Sequence, residues 1–177
     1  MQRKFYSLLF IILLMSASAY AQKVNVDFDK NVDFSAYKTY SWREGTPAIN
    51  PLGHQRINAG IEAQLAAKGW KKVDGDSDVV VIYSASTSSE TRINTFDSGG
   101  PWGGYRWGWG GGMSTTTVQN IKVGELVVDM ADVKSKSFIW RGTASDTMSD
   151  KPEKNQKKLD KALTKMFKNF PPTPGKK

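Results

Sequence analysis

One histidine and no cysteine leave little room for nucleophile-and-base chemistry in this 177-residue chain. His54 has no second imidazole and no thiol to work with, so Ser-His-Asp and Cys-His arrangements are hard to assemble. A zinc ion would find one imidazole and no thiolate. Near the predicted start of a helix, His54 reads as a helix-terminus residue. Carboxylates are the remaining candidates. Asp129 and Asp132 are a pair of carboxylates of the kind that does general acid and base work on a glycan. Strand alternation instead places Asp129 opposite Leu126 and Val128, puts Asp132 in a turn, and sets Arg141 on the matching face of the next strand. A surface ion pair between Asp129 and Arg141 is the simpler expectation, and it contributes little. Asp27, Asp29, Asn31 and Asp33 form a D-x-D-x-N-x-D run. It fails as a calcium loop, because Val32 stands where Gly is needed and Lys38 where a bidentate Glu is needed. A strand followed by a turn accounts for those residues, and Asp74, Asp76 and Asp78 likewise read as a turn. No catalytic residue, cofactor or metal ligand is assigned.

Residues 99–112 are different. They interleave glycines with Trp102, Tyr105, Arg106, Trp107 and Trp109, and so hold three of the six tryptophans. A backbone this rich in glycine cannot hold a helix and is expected to form a mobile loop. Exposed aromatic rings cost free energy in water, so such rings generally have a partner: sugar rings, a lipid interface, another protein or the domain's own surface. These five residues are the candidate partner contact. A phosphate cradle is a weak reading, since no Gly-x-Gly-x-x-Gly lies between a strand and a helix.

The compartment follows from the N-terminus and composition. Arg3 and Lys4 precede an apolar run over residues 5–15, and the small Ala19 and Ala21 suit a signal-peptidase site before Gln22. The run is too short for the ~20 residues that cross a bilayer. Residues 1–21 are therefore expected to be a cleaved signal, and the mature protein to be exported, periplasmic or outer-envelope associated. Without cysteine there is neither a disulfide framework nor a lipid anchor through Cys. The net charge of +8 falls to +6 once Arg3 and Lys4 are gone, and residues 150–177 carry all of it: nine lysines against Asp150, Glu153 and Asp160. A solvated helix face with a loose tail explains this charge. Attraction to anionic lipid or glycan is the functional alternative, and nucleic acid is not an expected partner of an exported chain.

About 155 residues remain to position the candidate contact, enough for one domain with its own core. Val24, Val26 and Phe28 alternate with polar residues as in an edge or half-buried strand, and a second strand covers residues 37–43 with Tyr40 and Trp42 on one face. Asp33 and Ser35 mark the turn between them. Pro47, Pro51 and Gly53 form a connection. A helix over residues 54–68 presents Ile57, Ile61 and Leu65 as one narrow stripe, ending at a left-handed Gly69 with Trp70 folded back. Val79 to Tyr83 form an unbroken apolar run that predicts a central strand. It continues through Arg92 as a ribbon that leaves the core, and residues 114–122 return. Gly124 is expected to open a last hairpin over residues 125–131 and 137–144. Placing Leu126, Val128 and Met130 on one face with Phe138 and Trp140 requires an odd loop, of three or five residues around Lys134. The final helix has Asp150 as its expected cap, Glu153 completing a capping box and Pro152 in the first turn. Leu159, Ala162, Leu163, Met166, Phe167 and Phe170 follow its period, and Pro171, Pro172 and Pro174 end it. Residues 173–177 are an expected disordered tail. The fold class is α+β: residues 22–172 as a single antiparallel or mixed sheet with two helices packed on one face and a long Gly/Trp-rich hairpin tip.

Four blocks, in this order, carry a resemblance: Tyr37-Lys38-Thr39-Tyr40-Ser41-Trp42, Gly124-Glu125-Leu126-Val127-Val128-Asp129, Trp140-Arg141-Gly142-Thr143-Ala144 and Phe170-Pro171-Pro172. With them, and with the Gly/aromatic loop before Gly124, the chain resembles the bacterial envelope family known as domain of unknown function 4136 over nearly all of its mature length. The resemblance implies exported bacterial proteins, many of them predicted lipoproteins, with no established activity and no site residues to carry over. This chain departs from the lipoprotein pattern by lacking the cysteine. The expected function is a non-catalytic envelope binding module that contacts a glycan, a lipid surface or a protein through the Gly/Trp loop. The alternatives are an assembly protein acting through its sheet edges and, third, a carboxylate hydrolase. N-terminal sequencing of the protein recovered from a bacterial periplasm should begin at Gln22; a sequence beginning at Met1 would remove the export reading.

Overall fold

Apolar side chains that alternate along a strand have to be covered on one face only, and here two helices cover them. The computed structural model describes residues 22–43, 45, 50–97 and 114–173. Its strands are β1 (Lys23–Phe28), β2 (Thr39–Trp42), β3 (Lys71–Lys72), β4 (Val79–Asp97), β5 (Ser114–Asp132) and β6 (Phe138–Thr147), with helices α1 (Pro51–Ala67) and α2 (Pro152–Met166). A short 3-10 turn over Phe34–Ala36 precedes β2, and Asp33 caps it by accepting from the Ser35 N–H. The strands form one mixed sheet in the order β1-β6-β5-β4-β2-β3. β1, β6, β5 and β4 run antiparallel to their neighbours, while β2 is parallel to both β4 and β3. This is the expected α+β class, with a β-α-β crossover at one end and hairpins at the other.

The core is continuous. From the sheet it takes Tyr40, Val79, Val81, Tyr83, Leu126, Val128, Met130 and Trp140; from α1 it takes Ile57, Ile61 and Leu65; from α2 it takes Ala162, Leu163 and Met166. The predicted stripe of α1 is the buried one. Val80 and Ile82, on the opposite face of β4, are only half-buried, so the central strand is covered on one side. An aromatic group fastens the C-terminal ends of both helices. Trp140, Phe167 and Phe170 pack with ring centroids 5.2 to 5.6 Å apart, and Trp70 lies 5.1 Å from Phe170. Trp70 reaches this position through a Schellman ending. Gly69 is left-handed at φ 80, its N–H donates to the Ala66 carbonyl, and the Trp70 N–H donates to that of Leu65.

Several local expectations are corrected. Helix α1 begins at Pro51, not near His54, because Asn50 caps it through a 2.6 Å bond from the Gly53 N–H and Pro51 loses no bond at the first position. Asp150 does not cap α2. Lys151 occupies the cap position without a side-chain bond, and Asn155 holds the entering chain instead: its Oδ1 accepts from Ser149 N–H at 2.8 Å and its Nδ2 donates to the Ser149 carbonyl at 2.7 Å. β5 runs straight through Gly124, which opens nothing. Lys71 and Lys72, too short a segment to show alternation, add a sheet edge that the sequence did not reveal.

The last hairpin is the instructive case. Leu126, Val128 and Met130 do pair with Ala144, Gly142 and Trp140, even positions with even. Five residues separate the strand ends, as the parity argument allowed. Yet Phe138 pairs with Ala131 and is 61% exposed, whereas Trp140 is 2% exposed, so the two do not share a face. The register shifts by one between Ala131 and Met130, and Ile139 is the extra residue. A bulge changes the parity within the strand, after the loop has already set Phe138 on the outside.

Gly142 is where α2 comes closest to the sheet. A Cβ there would lie 2.5 Å from Met166 Cγ and Sδ and 2.6 Å from the Trp140 ring. Gly142→Ala should cost roughly 1–3 kcal/mol through overpacking, read as a lower urea midpoint with an unchanged slope.

Candidate functional site

The carboxylates considered for catalysis are tied into the frame. Asp129 forms a two-pronged pair with Arg141, 2.6 Å to Nε and 2.9 Å to Nη2, as the strand alternation predicted. Asp132 faces elsewhere: Tyr37 Oη donates to it at 2.7 Å and the Ser135 N–H at 2.6 Å. The two are not brought together around a shared cleft. Asp78 stitches β2 to β4, accepting from the Lys38 N–H at 2.9 Å, the Thr39 N–H at 2.8 Å and the Thr39 hydroxyl at 2.8 Å. Asp27, Asp29 and Asp33 each accept from a backbone N–H one or two residues on, at Phe28, Asn31 and Ser35. Those three carboxylates build local turns. Among the described residues no group of three or more His, Asp or Glu is placed to hold a metal ion, and no helix is long and apolar enough to cross a membrane.

His54 lies in the first turn of α1. Its Nδ1 meets the Tyr83 hydroxyl and its Nε2 lies 3.1 Å from Asn58 Nδ2. Among the described residues no carboxylate bonds His54; Glu62, two turns further along α1, accepts from Trp42 Nε1 at 2.8 Å and pairs with Lys72 at 2.9 Å. This is a clamp between helix and sheet.

Two features have the geometry of recognition. The first is the outer half of the β4/β5 hairpin. The ladder pairs Val79 with Asp132 at its base and runs without a shift to Asp97 and Ser114. β6 accompanies β5 only from Val123 inward, so the outer part is a two-stranded arm. Side chains 86–95 and 116–120 are exposed, among them the facing pair Ile93 and Val118 at 66% and 59%. Between Asp97 and Ser114 comes the segment of Trp102, Tyr105, Arg106, Trp107 and Trp109, which lies outside the described residues, as do the predicted signal (1–21) and the last four residues of the predicted tail.

The second feature was not foreseen. Helices α1 and α2 touch where Gly60 faces Leu163, so closely that a Cβ would sit 2.5 Å from Leu163 Cδ1. Between their N-terminal halves a cleft of about 390 Å³ remains. Ile57 and Leu159 form its walls, Ala85, Leu126 and Ala144 its floor, and Arg56 and Lys158 its rim. Gln22 lies along it, its Nε2 donating to the Lys158 carbonyl at 2.8 Å and its buried Oε1 without a partner among the described residues. These residues come from six separate segments, so no spacing in the sequence could announce them. The small residues at 85, 124 and 144, on the strand face that also carries Tyr83, Leu126 and Trp140, were the one available signal.

Burial, and then the bond to Asp132, push the Tyr37 hydroxyl up to about 12. The Lys38 N–H, followed by the Thr39 hydroxyl and N–H, holds Asp78 below the usual carboxylate range, and the Ser135 N–H, followed by the Tyr37 hydroxyl, does the same for Asp132. A carboxyl depressed in the folded state contributes stability above its unfolded value, about 3.9, and loses it as pH falls through the folded one. Asp78→Asn should therefore lower stability at pH 7 by roughly 1–2 kcal/mol and flatten the loss that the parent shows below about pH 4. Urea midpoints at pH 7 and pH 3 measure both.

A family model described as "Domain of unknown function (DUF4136)" matches residues 24–172. No curated protein matches the chain. Among solved structures it is similar to a PDZ domain protein from Parabacteroides distasonis, at 15% identity and a TM-score of 0.48, covering 94% of this chain and 40% of that one. The chain thus spans well under half of that protein's length. It is also similar to the PelC dodecamer from Paraburkholderia phytofirmans, at 11% identity and a TM-score of 0.47, covering 82% of this chain and 97% of that one. A minor lipoprotein from Acinetobacter baumannii follows at 13% identity and a TM-score of 0.36, covering 76% and 90%. Likenesses this distant carry no argument about chemistry, which rests on the side chains.

Proposed function

The chain belongs to the DUF4136 family, and from that premise we propose that it is a non-catalytic, exported envelope protein that binds its partner through the Gly/Trp segment at the end of its β-arm. The partner is an envelope glycan, lipid surface or protein. One observation carries the reading: β4 and β5 continue as an exposed pair well beyond the last strand and helix that cover them. From Thr87 to Asp97, at about 3.3 Å per residue, the arm reaches roughly 35 Å. Among the described residues no third strand or core lies beneath this ribbon, and a lone two-stranded ribbon adds little stability, so reach explains its length better than folding does. Trp102, Trp107 and Trp109 fall in the segment that joins its two strands.

Export is supported by the leader pattern of residues 1–21, and attachment through a lipidated cysteine is excluded by composition. The absence of catalysis is supported by the engagement of Asp129, Asp132 and His54 with structural partners. One observation favours the second reading, assembly through sheet edges: among the described residues β1 is a terminal strand of the sheet with no neighbour on its outer side, and its Val26 is 43% exposed. Crosslinks would then map to residues 24–29.

The test is cosedimentation with envelope fractions, separated into sacculi and membrane vesicles. The variant with Trp102, Trp107 and Trp109 all changed to Ala should lose at least about fivefold in binding, in line with the loss of several aromatic anchors, while its urea midpoint stays at the parent value. Binding equal to that of the parent would remove the tip from the function.

A further inference from the structure

We propose that the cleft between α1 and α2 is a binding site for a single acyl chain with an uncharged, hydroxyl-bearing head. The inference does not rest on the arm or its tip. It begins with how the space between the sheet and the helices is filled. At the closed end, Trp70, Trp140, Phe167 and Phe170 fill it with rings. At the open end the sheet presents Ala85, Gly124 and Ala144, and α2 presents Ala162. Larger residues at these positions would close the gap. The small ones keep an apolar channel lined by Ile57, Leu126 and Leu159, whose surfaces lack the contacts that close packing supplies. A volume of about 390 Å³ lies at the small end of ligand pockets, which run from about 300 to 1,000 Å³. That suits one chain better than two.

The head group is read from the polar atoms. Gln22 Nε2 is fixed on the Lys158 carbonyl, which leaves the buried Oε1 as an acceptor with no donor among the described residues. A hydroxyl of the ligand supplies one. Lys158 is already occupied by Asp146 at 3.1 Å and by Thr147. Arg56, exposed at the rim, makes no ion pair with any described residue. Glu125 is on the strand face opposite Leu126 and takes no part. A polyol ester fits this rim, its carbonyl accepting from Arg56 and a hydroxyl donating to Gln22 Oε1. Exposed Met148, whose thioether lies against Gly124, gives the mouth an adaptable wall.

Titration calorimetry of the purified protein with monododecanoylglycerol, below its aggregation threshold, should show one saturable site. Dodecanoate, which brings no donor for Gln22 Oε1, and dodecylammonium, which Arg56 repels, should each bind at least about fivefold more weakly. Ala85→Leu and Ala144→Leu fill the floor and should weaken binding at least about tenfold while raising the melting temperature. If Ala144→Leu fails to fold, the more exposed position 85 carries the test. Gln22→Ala should weaken the glycerol ester about fivefold and leave methyl dodecanoate, which has no donor, unchanged. Deleting residues 99–112 should leave all these values as they were, which separates this site from the tip. No saturable binding of the glycerol ester, parental affinity in a folded Ala85→Leu variant, or tighter binding of dodecanoate would each overturn the proposal.

Discussion

The unshifted pairing of β4 with β5 is the constraint on which the rest of the molecule depends. The inner part of the ladder, from Val79 with Asp132 to Ala85 with Leu126, lies under the helices; the outer part is the arm. Residues in the core therefore set the register of residues far outside it. Val79, Val81 and Tyr83 must face the helices together with Leu126, Val128 and Met130, and a slip of one residue would expose all six. The polar ribbon beyond contains little that specifies its own alignment. It inherits that alignment from the buried end.

The two helices fasten this ladder unequally. At their C-terminal ends, aromatic rings from the residues that follow α2, from the residue after Gly69 and from β6 interlock, and Phe34 joins through Phe170. At their midpoint Gly60 admits Leu163. Beyond that contact the helices are held by polar devices at their first turns: Asn50 on Gly53, Asn155 on Ser149, and the His54–Tyr83 clamp. Rigidity sits at one end of the helical layer and the cleft at the other, which is the usual division between a packed scaffold and a recognition surface.

What was legible in the sequence followed periodicity. Ile57, Ile61 and Leu65 recur at helical spacing and are the buried residues of α1; Gly69 and Trp70 spell out a helix ending; Asp129 and Arg141 pair because alternation places them on one face. What was not legible came from interactions between segments. The Ile139 bulge is invisible to alternation, since parity counts residues and a bulge alters the count inside the strand. The start of α1 was overlooked because Pro51 and Gly53 were read as loop residues, although Asn followed by Pro is also a helix-start signal. Asp150 looked like a cap until Asn155, one turn along, satisfied the same stretch of backbone. The cleft is assembled from residues up to 140 positions apart, from Gln22 to Ala162, and only their small size hinted at it. The aromatic segment, the clearest compositional anomaly, lies outside the described residues and keeps the standing that composition gave it.

The closure of the arm at Asp97 and Ser114 has an evolutionary consequence. The two ends of the intervening segment are already adjacent, so its length can change at little thermodynamic cost: doubling a loop adds only about 0.6 kcal/mol of closure entropy. Insertions, deletions and exchanged motifs there leave the buried register untouched. The domain in effect has a junction at which the chain can vary without renegotiating the fold.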